Sequence, residues 1–389
     1  MLENIIIQSE EEEKLRQNLE TKSDPESKRL KRFLDLPDLA RTDGSPLKEI
    51  VDRTLKVESL KGFDVIKIPE INSTEILFDL FNMPHGHPAR SKSDTYYVDD
   101  NHVLRTHDTV FWYYYLNHPS IKEKIENNEA FGAICFGKVY RKDEIDRRHM
   151  NVFHQMGGLY LAPDNKKTVT PDDLKNVLSE IAKSIFGENV KFRFYDHQFP
   201  YTDPSFEMEA EINGQWIEML GSGLPRKSVL KNFARLPGSD GQGLEGYNGW
   251  AFGFGLERLA IASMDLPDIR LLWSDDERVR SQLKLGNKFK EVSKFPPVVR
   301  DISFVVPAEF IPNDYFDLIR EVGEGMVENV ELIDKYENTE KFGAGKLSYT
   351  FRITYRSLER TLTNEEVNNV HAKLEERTES DFNAEIRRV

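Results

Sequence analysis

The sequence predicts an α+β protein in two parts, a larger one built on short strands with flanking helices and a smaller C-terminal one. Three observations carry this. Between Phe63 and Trp273, short aromatic-rich strands alternate with loops, and helical periodicity breaks in only over Pro171–Phe186 and after Gly255. At Pro296-Pro297 that pattern stops, because proline lacks the amide a helix or ladder would use. Residues 298–389 then carry a strand and helix order of their own.

Composition sets the limits. A chain of 389 residues, 39% hydrophobic and 31% charged, can bury a large core. No apolar run approaches the ~20 residues of a membrane span, so no membrane partner is expected. One cysteine, Cys135, excludes internal disulfides and cysteine zinc sites and suits a reducing compartment. The start, "MLENIIIQSEEEEKLRQ", is acidic and resembles neither a secretory signal nor a transit peptide. That favours a bacterial cytoplasm, with a mitochondrial or plastid matrix as the alternative. A net charge of −14 argues against non-specific nucleic-acid binding, though not against a local basic face.

Residues 1–45 read as a charged arm, helical around Leu30, Phe33 and Leu34. The larger domain is expected over 46–285. Ser45-Pro46 opens a helix with Leu47, Ile50, Val51, Leu55 and Val57 inward. "FDVIKIPEI" (Phe63–Ile71) reads as a strand, and Asp172 and Asp173 sit in the first turn of the helix from Pro171. A linker follows over 286–297. In 298–389, "DISFVVP" is a strand, "PNDYFDLIREVG" a helix and "ENVELIDKYE" a strand. "KLSYTFRITYRS" alternates strictly, with Leu347, Tyr349, Phe351, Ile353 and Tyr355 on one face. Thr363-x-x-Glu366 is a capping box before a helix, and "NAEIRRV" closes as a strand. The order βαββαβ is that of a ferredoxin-like unit, antiparallel, with helices on one face and the other open to a partner.

Two stretches carry chemistry. In "GKVYRKDEIDRRHMNVFHQMGGLYL", two apolar strands flank a long polar loop, and such loops in compact domains are usually functional. Phe153, Gln155 and Gly157 share one strand face, and His154 and Met156 the other. Arg141 ends the first strand. An arginine near an aromatic and an amide suits a planar anionic ligand. In "GWAFGFGLERLAIASMDLPDIR", a glycine-punctuated strand runs into a helix with Arg258 in its first turn. The helix dipole disfavours a cation there, so an anion is expected to hold it. The stretch is no dinucleotide fingerprint, because Arg258 stands where the third glycine belongs, and no G-x-x-x-x-G-K-[ST] loop occurs. His85 and His87 have no third metal ligand at suitable spacing.

Arginines on both motifs, with an adenine-sized aromatic, resemble a class II aminoacyl-tRNA synthetase. "HPARSKSDTYYV", "LRTHDT", "GKVYRKDEIDRRHMNVFHQ", "FPYTDPSFEME", "WIEMLGSG" and "GWAFGFGLERLA" are similar, in that order, to the phenylalanyl-tRNA synthetase family. "FPPVVRDISF" through "TYRSLERTLTNEEVNNVH" resembles its ferredoxin-fold anticodon-binding domain. The resemblance covers about 46–389 and implies a class II antiparallel sheet core in a single-chain, organellar-like, monomeric enzyme. It implies ATP-dependent activation of L-phenylalanine and transfer to tRNA-Phe. Arg141 would hold the α-phosphate and substrate carboxylate, and Phe153 and Arg258 would sandwich adenine. Asp143 and His149 would lie on the ATP side, and Glu218 would bind Mg²⁺. His107, Thr109 and Gln155 would meet the amino acid's main-chain groups. Phe199 and Tyr201 would pack on its ring, over Ala251 and Gly253.

Two positions depart from the family pattern. Gly157 stands where an acidic residue usually contacts the substrate ammonium, and Tyr201 stands where phenylalanine is usual. They support a rival reading, a relative charging another amino acid. A third reading is a catalytically dead RNA-binding paralogue, against which Arg141, Arg258 and Glu218 speak. Residues 298–389 hold 12 Lys and Arg against 19 Asp and Glu, so RNA contact would need concentrated positive charge. Lys346, Arg352 and Arg356 share one strand face and Arg360 follows, which makes them the expected tRNA-binding residues.

Overall fold

The computed structural model describes residues 4–142, 146–233, 244–323 and 325–387. The chain divides between Phe289 and Lys290 into two units.

In the first unit, β1 (Ile5–Ile6) precedes two helices, α1 (Glu10–Thr21) and α2 (Pro25–Asp35). Their starts follow from sequence. Ser9 accepts the Glu12 amide and Asp24 the Ser27 amide, and four glutamates in the first turn of α1 complement its dipole. The expected charged arm is thus docked structure: Leu19, Leu30, Phe33 and Leu34 bury against Ile71, Tyr96, Leu104, Tyr140 and Val152. The buried Lys138 donates to the Leu34 and Leu36 carbonyls, closing the end of α2.

Next come α3 (Pro46–Thr54), β2 (Asp64–Lys67), and β3 (Ile71–Ser73) paired with β4 (His102–Leu104). The strand expected over Phe63–Ile71 is therefore two strands, parted at Pro69. The helix from Pro46 ends before Val57. The chain continues through β5 (Phe131–Tyr140), β6 (Val152–Pro163), α4 (Pro171–Phe186), β7 (Phe192–His197), β8 (Thr202–Ile212), β9 (Gln215–Pro225), β10 (Tyr247–Gly255) and α5 (Leu256–Met264). α4 is capped by Thr170 in a capping box with Asp173.

Eight strands form one sheet in the order β1-β2-β5-β6-β10-β9-β8-β7. It is antiparallel from β5 to β7, but β1 pairs parallel with β2, and β2 with β5. The antiparallel core expected from sequence is present from β5 to β7, and β1 and β2 extend it in parallel at one edge. The connections into β2 and β5 contain helices long enough for parallel crossovers, whereas β5–β6 and β7–β8–β9 are hairpins.

The second unit contains β11 (Val298–Pro307), α6 (Pro312–Val322), β12 (Val327–Glu337), β13 (Lys346–Tyr355), α7 (Asn364–Phe382) and β14 (Glu385–Ile386). Its sheet order, β12-β13-β11-β14, is antiparallel and ferredoxin-like, with one extra helical turn at Thr339–Phe342. The predicted inward face of β13 is inward: Tyr349, Phe351, Ile353 and Tyr355 are buried beside Phe304 and Tyr315. Burial of Ile353 or of either phenylalanine contributes about 1.5–3 kcal/mol. Thr363 and Glu366 make both bonds of the predicted capping box.

Candidate active site

A buried pair fixes the two chemical motifs to each other. His154 on β6 is fully buried, and its Nε2 accepts the Leu39 amide at 2.9 Å. The ring proton therefore sits on Nδ1, which donates to Glu257 Oε1 at 2.7 Å. Glu257, 3% exposed, also accepts the His154 backbone amide. The first turn of α5 is thus pinned to β6. Phe153 and Gln155 take the opposite strand face, and Arg258 follows Glu257. Sequence reading missed this pair, because an Arg beside a Glu at a helix start draws attention to the Arg.

The opposite face has a floor without side chains. Gly157 on β6 pairs with Gly253 on β10, and Gly253 pairs with Gly221 on β9. Directly paired residues share a face, so the three glycines form a row across adjacent strands. Ala251 and Gly223 pair one step along. The row is closed at both ends. A Cβ on Gly221 would meet the Phe199 ring at 2.7 Å. A Cβ on Gly157 would overlap Asp108 Oδ2, and one on Gly253 would lie 3.4 Å from Asp108 Oδ1. An aromatic ring guards one end of the cleft and a carboxylate the other.

At the aromatic end, Phe199 and Tyr201 stack with centroids 5.7 Å apart and planes 14° apart. Phe81 and Trp112 meet Tyr201 edge-on at 5.9 and 6.2 Å. The Tyr201 hydroxyl finds Thr109 as partner, and burial together with Asp108 pushes its pKa up to about 12. It is therefore a neutral phenol near pH 7.

At the polar end, Gln155 Oε1 accepts the Asp108 amide at 3.0 Å. The Arg141 Nε donates to the Thr106 carbonyl at 2.9 Å, and its guanidinium lies 5.2 Å from the Phe153 ring centre. Burial, with the positive charges of Arg141 and Arg105, holds His107 down to about 3. His107 is thus a neutral imidazole, with the Leu77 backbone beside it. Burial pushes Asp108 up to about 7 against the pull of Arg105 and Arg141. Its Oδ2 also lacks a partner among the described residues. Sequence reading passed over Asp108, although it sits between two residues that were singled out.

Glu218 and Arg258 come together at 2.7 Å, both about half exposed. A bulge at Met219 in β9 sets the register there, pairing Glu218 with Glu209 and Leu220 with Met208. His149 turns back within its own loop, with Nδ1 3.0 Å from Asp146, whose carboxylate also accepts the Arg148 and His149 amides. Asp143 lies outside the described residues.

Residues 34–283 match the model of the tRNA synthetases class II core domain (F), and residues 293–387 that of the ferredoxin-fold anticodon binding domain. The chain is 39% identical to the chloroplastic/mitochondrial phenylalanine–tRNA ligase of Arabidopsis thaliana, over 82% of this chain and 71% of that protein. This chain belongs to the phenylalanine–tRNA ligase family. It is also 37% identical to the mitochondrial phenylalanine–tRNA ligase of Mus musculus, over 80% of this chain and 72% of that one. Among solved structures, a pyrrolysyl-tRNA synthetase of Desulfitobacterium hafniense matches at TM-score 0.44 and 16% identity, over 68% of this chain and 81% of that one.

The second unit of this phenylalanine–tRNA ligase family member gives three of the four expected tRNA-binding residues acidic partners. Arg352 is held by both oxygens of Asp301 at 2.8 Å, and Arg360 pairs with Glu366 at 2.6 Å. Arg356 lies beyond the end of β13 and is mostly buried. It pairs with Glu328 at 3.0 Å and donates to the Phe295 carbonyl at 3.0 Å. Lys346 is exposed at the start of β13. Arg356 therefore ties down residues 293–295 and does not present a charge to solvent.

Proposed function

We infer that this protein activates L-phenylalanine with ATP and transfers it to the terminal adenosine of tRNA-Phe. The observation that carries this is the glycine-floored cleft, with an aromatic pair at one end and ionic groups at the other. Such a cleft fits one extended aromatic amino acid: ring toward Phe199 and Tyr201, backbone over Gly253, main-chain groups toward His107, Thr109, Gln155 and Arg141. Ala251 completes the floor, and a ring in an aromatic frame gains about 0.5–1.5 kcal/mol beyond area burial.

In the first step a carboxylate oxygen of phenylalanine attacks the α-phosphorus of ATP and pyrophosphate leaves. Negative charge grows on the phosphoryl oxygens, and Arg141, fixed by Thr106 and Phe153, would stabilise it without reorganising. In the second step the 2′-hydroxyl of the terminal adenosine attacks the carbonyl and AMP leaves. Positioning and charge supply the catalysis. Phe153 and Arg258 would hold adenine, with His149 and the loop of Asp143 toward the triphosphate.

Glu218 suits Mg²⁺, which takes one or two carboxylates and completes its shell with water and phosphate oxygens. Its carboxylate is accessible and its present partner is a half-exposed arginine. The ion would neutralise triphosphate charge. Arg258, released from Glu218, would then be available to the nucleotide.

The second unit would receive the anticodon arm, with Lys346, Arg352 and Arg360 as the accessible cations. Arg352 and Arg360 must exchange a carboxylate for phosphate to do so. The chain would act as a single-chain monomer. The organellar names of the Arabidopsis and mouse relatives support a mitochondrial or plastid matrix over a bacterial cytoplasm. No described helix is long and apolar enough to cross a membrane.

Pyrophosphate exchange with each amino acid tests the reading. Exchange with phenylalanine alone is expected. Exchange driven best by another amino acid overturns the substrate, and none with any overturns the activity.

A further inference from the structure

The cleft contains a buried carboxylate that the activation chemistry above leaves unused. Asp108 is 4% exposed, and its Oδ2 makes no hydrogen bond among the described residues. Burying a carboxylate oxygen without a hydrogen-bond partner is costly, and proteins avoid it unless something pairs with it. The other acids near the site have partners: Glu257 holds His154, Glu218 holds Arg258, and Asp38 holds Arg41. Asp108 has no such side-chain partner, its carboxylate meeting only the backbone amides of its own residue and of Thr109 while Oδ2 stays unbonded among the described residues, and it is aimed. Its two oxygens lie over Gly157 and Gly253, at the end of the floor opposite Phe199.

Its placement is constructed. The Asp108 backbone amide is held by Gln155 Oε1 from β6. Gly157 leaves the room that the carboxylate fills, since any side chain there would overlap Oδ2. The groups facing Asp108 are Arg105, Arg141, the neutral His107, the Tyr201 phenol and the backbone amides of Asp108 itself and Thr109. The arginines are tied to the carbonyls of Lys138 and Thr106 through their Nε atoms. No Lys or Arg nitrogen lies within 4.0 Å of Asp108 in any ion pair among the described residues, and an ammonium on a substrate backbone over Gly253 would complete it.

We propose that the Asp108 carboxylate is the group that receives the α-ammonium of the amino-acid substrate, with Gln155 and Gly157 as the residues that position it. This rests on the reading of the site as an amino-acid-activating cleft. It assigns Gln155 a new part: its carbonyl oxygen holds Asp108 in place, and Asp108 meets the cation. Recognition would then reject any phenyl compound lacking a cationic nitrogen, because the carboxylate would be left unpaired.

Three probes separate the contributions: L-phenylalanine, L-phenylalaninol, which keeps the ammonium but lacks the carboxylate, and 3-phenylpropionate, which lacks the ammonium. Wild-type exchange with phenylalanine is measured first, and its absence would count against the activity and not against Asp108. In Asp108→Asn, phenylalanine and phenylalaninol should bind about 10- to 100-fold more weakly, the range of a charge-assisted hydrogen bond. Binding of 3-phenylpropionate and KM for ATP should not weaken. Equal weakening of all three probes would show a merely structural residue, and unchanged phenylalanine binding would equally overturn the assignment. A second pair of variants keeps the test independent of how the asparagine folds. Gly157→Glu alone should lose phenylalanine binding, because its side chain collides with Asp108. Asp108→Thr with Gly157→Glu should regain at least about tenfold over Asp108→Thr, because a carboxylate returns to the vacated space. Normal phenylalanine binding by Gly157→Glu, or no gain in the double variant, would refute the proposal.

Discussion

The glycine row makes graded demands, and replacing its members one at a time separates substrate space from protein space. At Gly253 an added methyl would lie 3.4 Å from Asp108 Oδ1 and 3.9 Å from Oδ2, with no other neighbour within 4 Å. The protein has room for it. The substrate backbone, which would cross that point, does not. Gly253→Ala should therefore fold with stability within about 0.5 kcal/mol of wild type, as for a substitution that disturbs no packing. Its KM for phenylalanine should rise about 10- to 200-fold, the effect of one methyl group in a fitted pocket. At Gly157 the methyl would overlap a buried carboxylate oxygen and come within 3.1 Å of the Phe252 carbonyl. That site cannot yield at a flexible tip, so Gly157→Ala should lose about 1–3 kcal/mol as well as binding. At Gly221 the obstacle is the Phe199 ring at 2.7 Å, and displacing it should weaken phenylalanine without touching ATP. Urea unfolding monitored by fluorescence gives the stabilities, and pyrophosphate exchange at varied phenylalanine and ATP gives the two KM values. If Gly253→Ala binds phenylalanine normally, the cleft is not the amino-acid site. If Gly157→Ala is as stable as Gly253→Ala, Asp108 does not lie where the structure puts it.

Asp108 should also make phenylalanine binding pH-dependent. Its pKa of about 7 lies in the free protein, so KM for phenylalanine should rise about tenfold per pH unit below 7 and level off above it, a slope that Asp108→Asn should abolish and that a flat wild-type profile would contradict. The same shift has a sign for stability: a carboxyl raised from 3.8 binds its proton more tightly when folded, so the penalty is absent below pH 4 and full above 7, about 4 kcal/mol. Asp108→Asn should accordingly raise the melting temperature at pH 8 and not at pH 4. Glu257→Gln should keep the volume and lose the charge assistance of the hydrogen bonds to His154, costing about 1.5–3 kcal/mol because the pair is fully buried; urea unfolding within 0.5 kcal/mol of wild type would refute its anchoring part. Arg141→Lys should cut phenylalanine-dependent exchange at least about 100-fold, since a point charge cannot keep the Thr106 bond, the Phe153 contact and a phosphate together; near-normal exchange would show that the planar fork is not needed.

Much of the fold was legible because period and punctuation agreed. The alternation of Leu347 to Tyr355 gave β13, Thr363 and Glu366 gave the start of α7, and Pro171 to Phe186 gave α4 with its ends. What stayed hidden depended on partners far along the chain. The arm at 1–45 read as charged, with a helix around Leu30, Phe33 and Leu34, but its docking was hidden, because α1 contributes only one buried residue, Leu19, and the face that receives Leu19 and α2 comes from residues 71–152. The parallel pairing of β1 and β2 was not visible either. Two- and four-residue strands are too short to carry a period, and their partners are fixed by crossovers rather than turns.

The site divides along a similar line. Gly253 and Arg258 drew attention because glycines in a strand and a cation at a helix start contradict local preference, and Arg141 and Gln155 because they flank a long polar loop between two apolar strands. Asp108 contradicts nothing locally: an acid at the start of a short helical turn is ordinary. Its meaning arises only when β6 and β10 bring Gly157 and Gly253 beneath it. Yet the sequence did hold half of the information, in a glycine where the family pattern has an acid. A missing carboxylate and an extra carboxylate, 49 positions apart in the chain, are one feature once folded. The basic residues of the second unit have partners that sequence spacing does not show. Arg352, Arg356 and Arg360 looked like a concentrated charge because sequence spacing shows same-strand neighbours only. Across the ladder and the adjoining turns stand Asp301, Glu328 and Glu366, so the arginines are neutralised where they stand. Any anion they bind must displace a carboxylate, which favours phosphate over weaker acceptors.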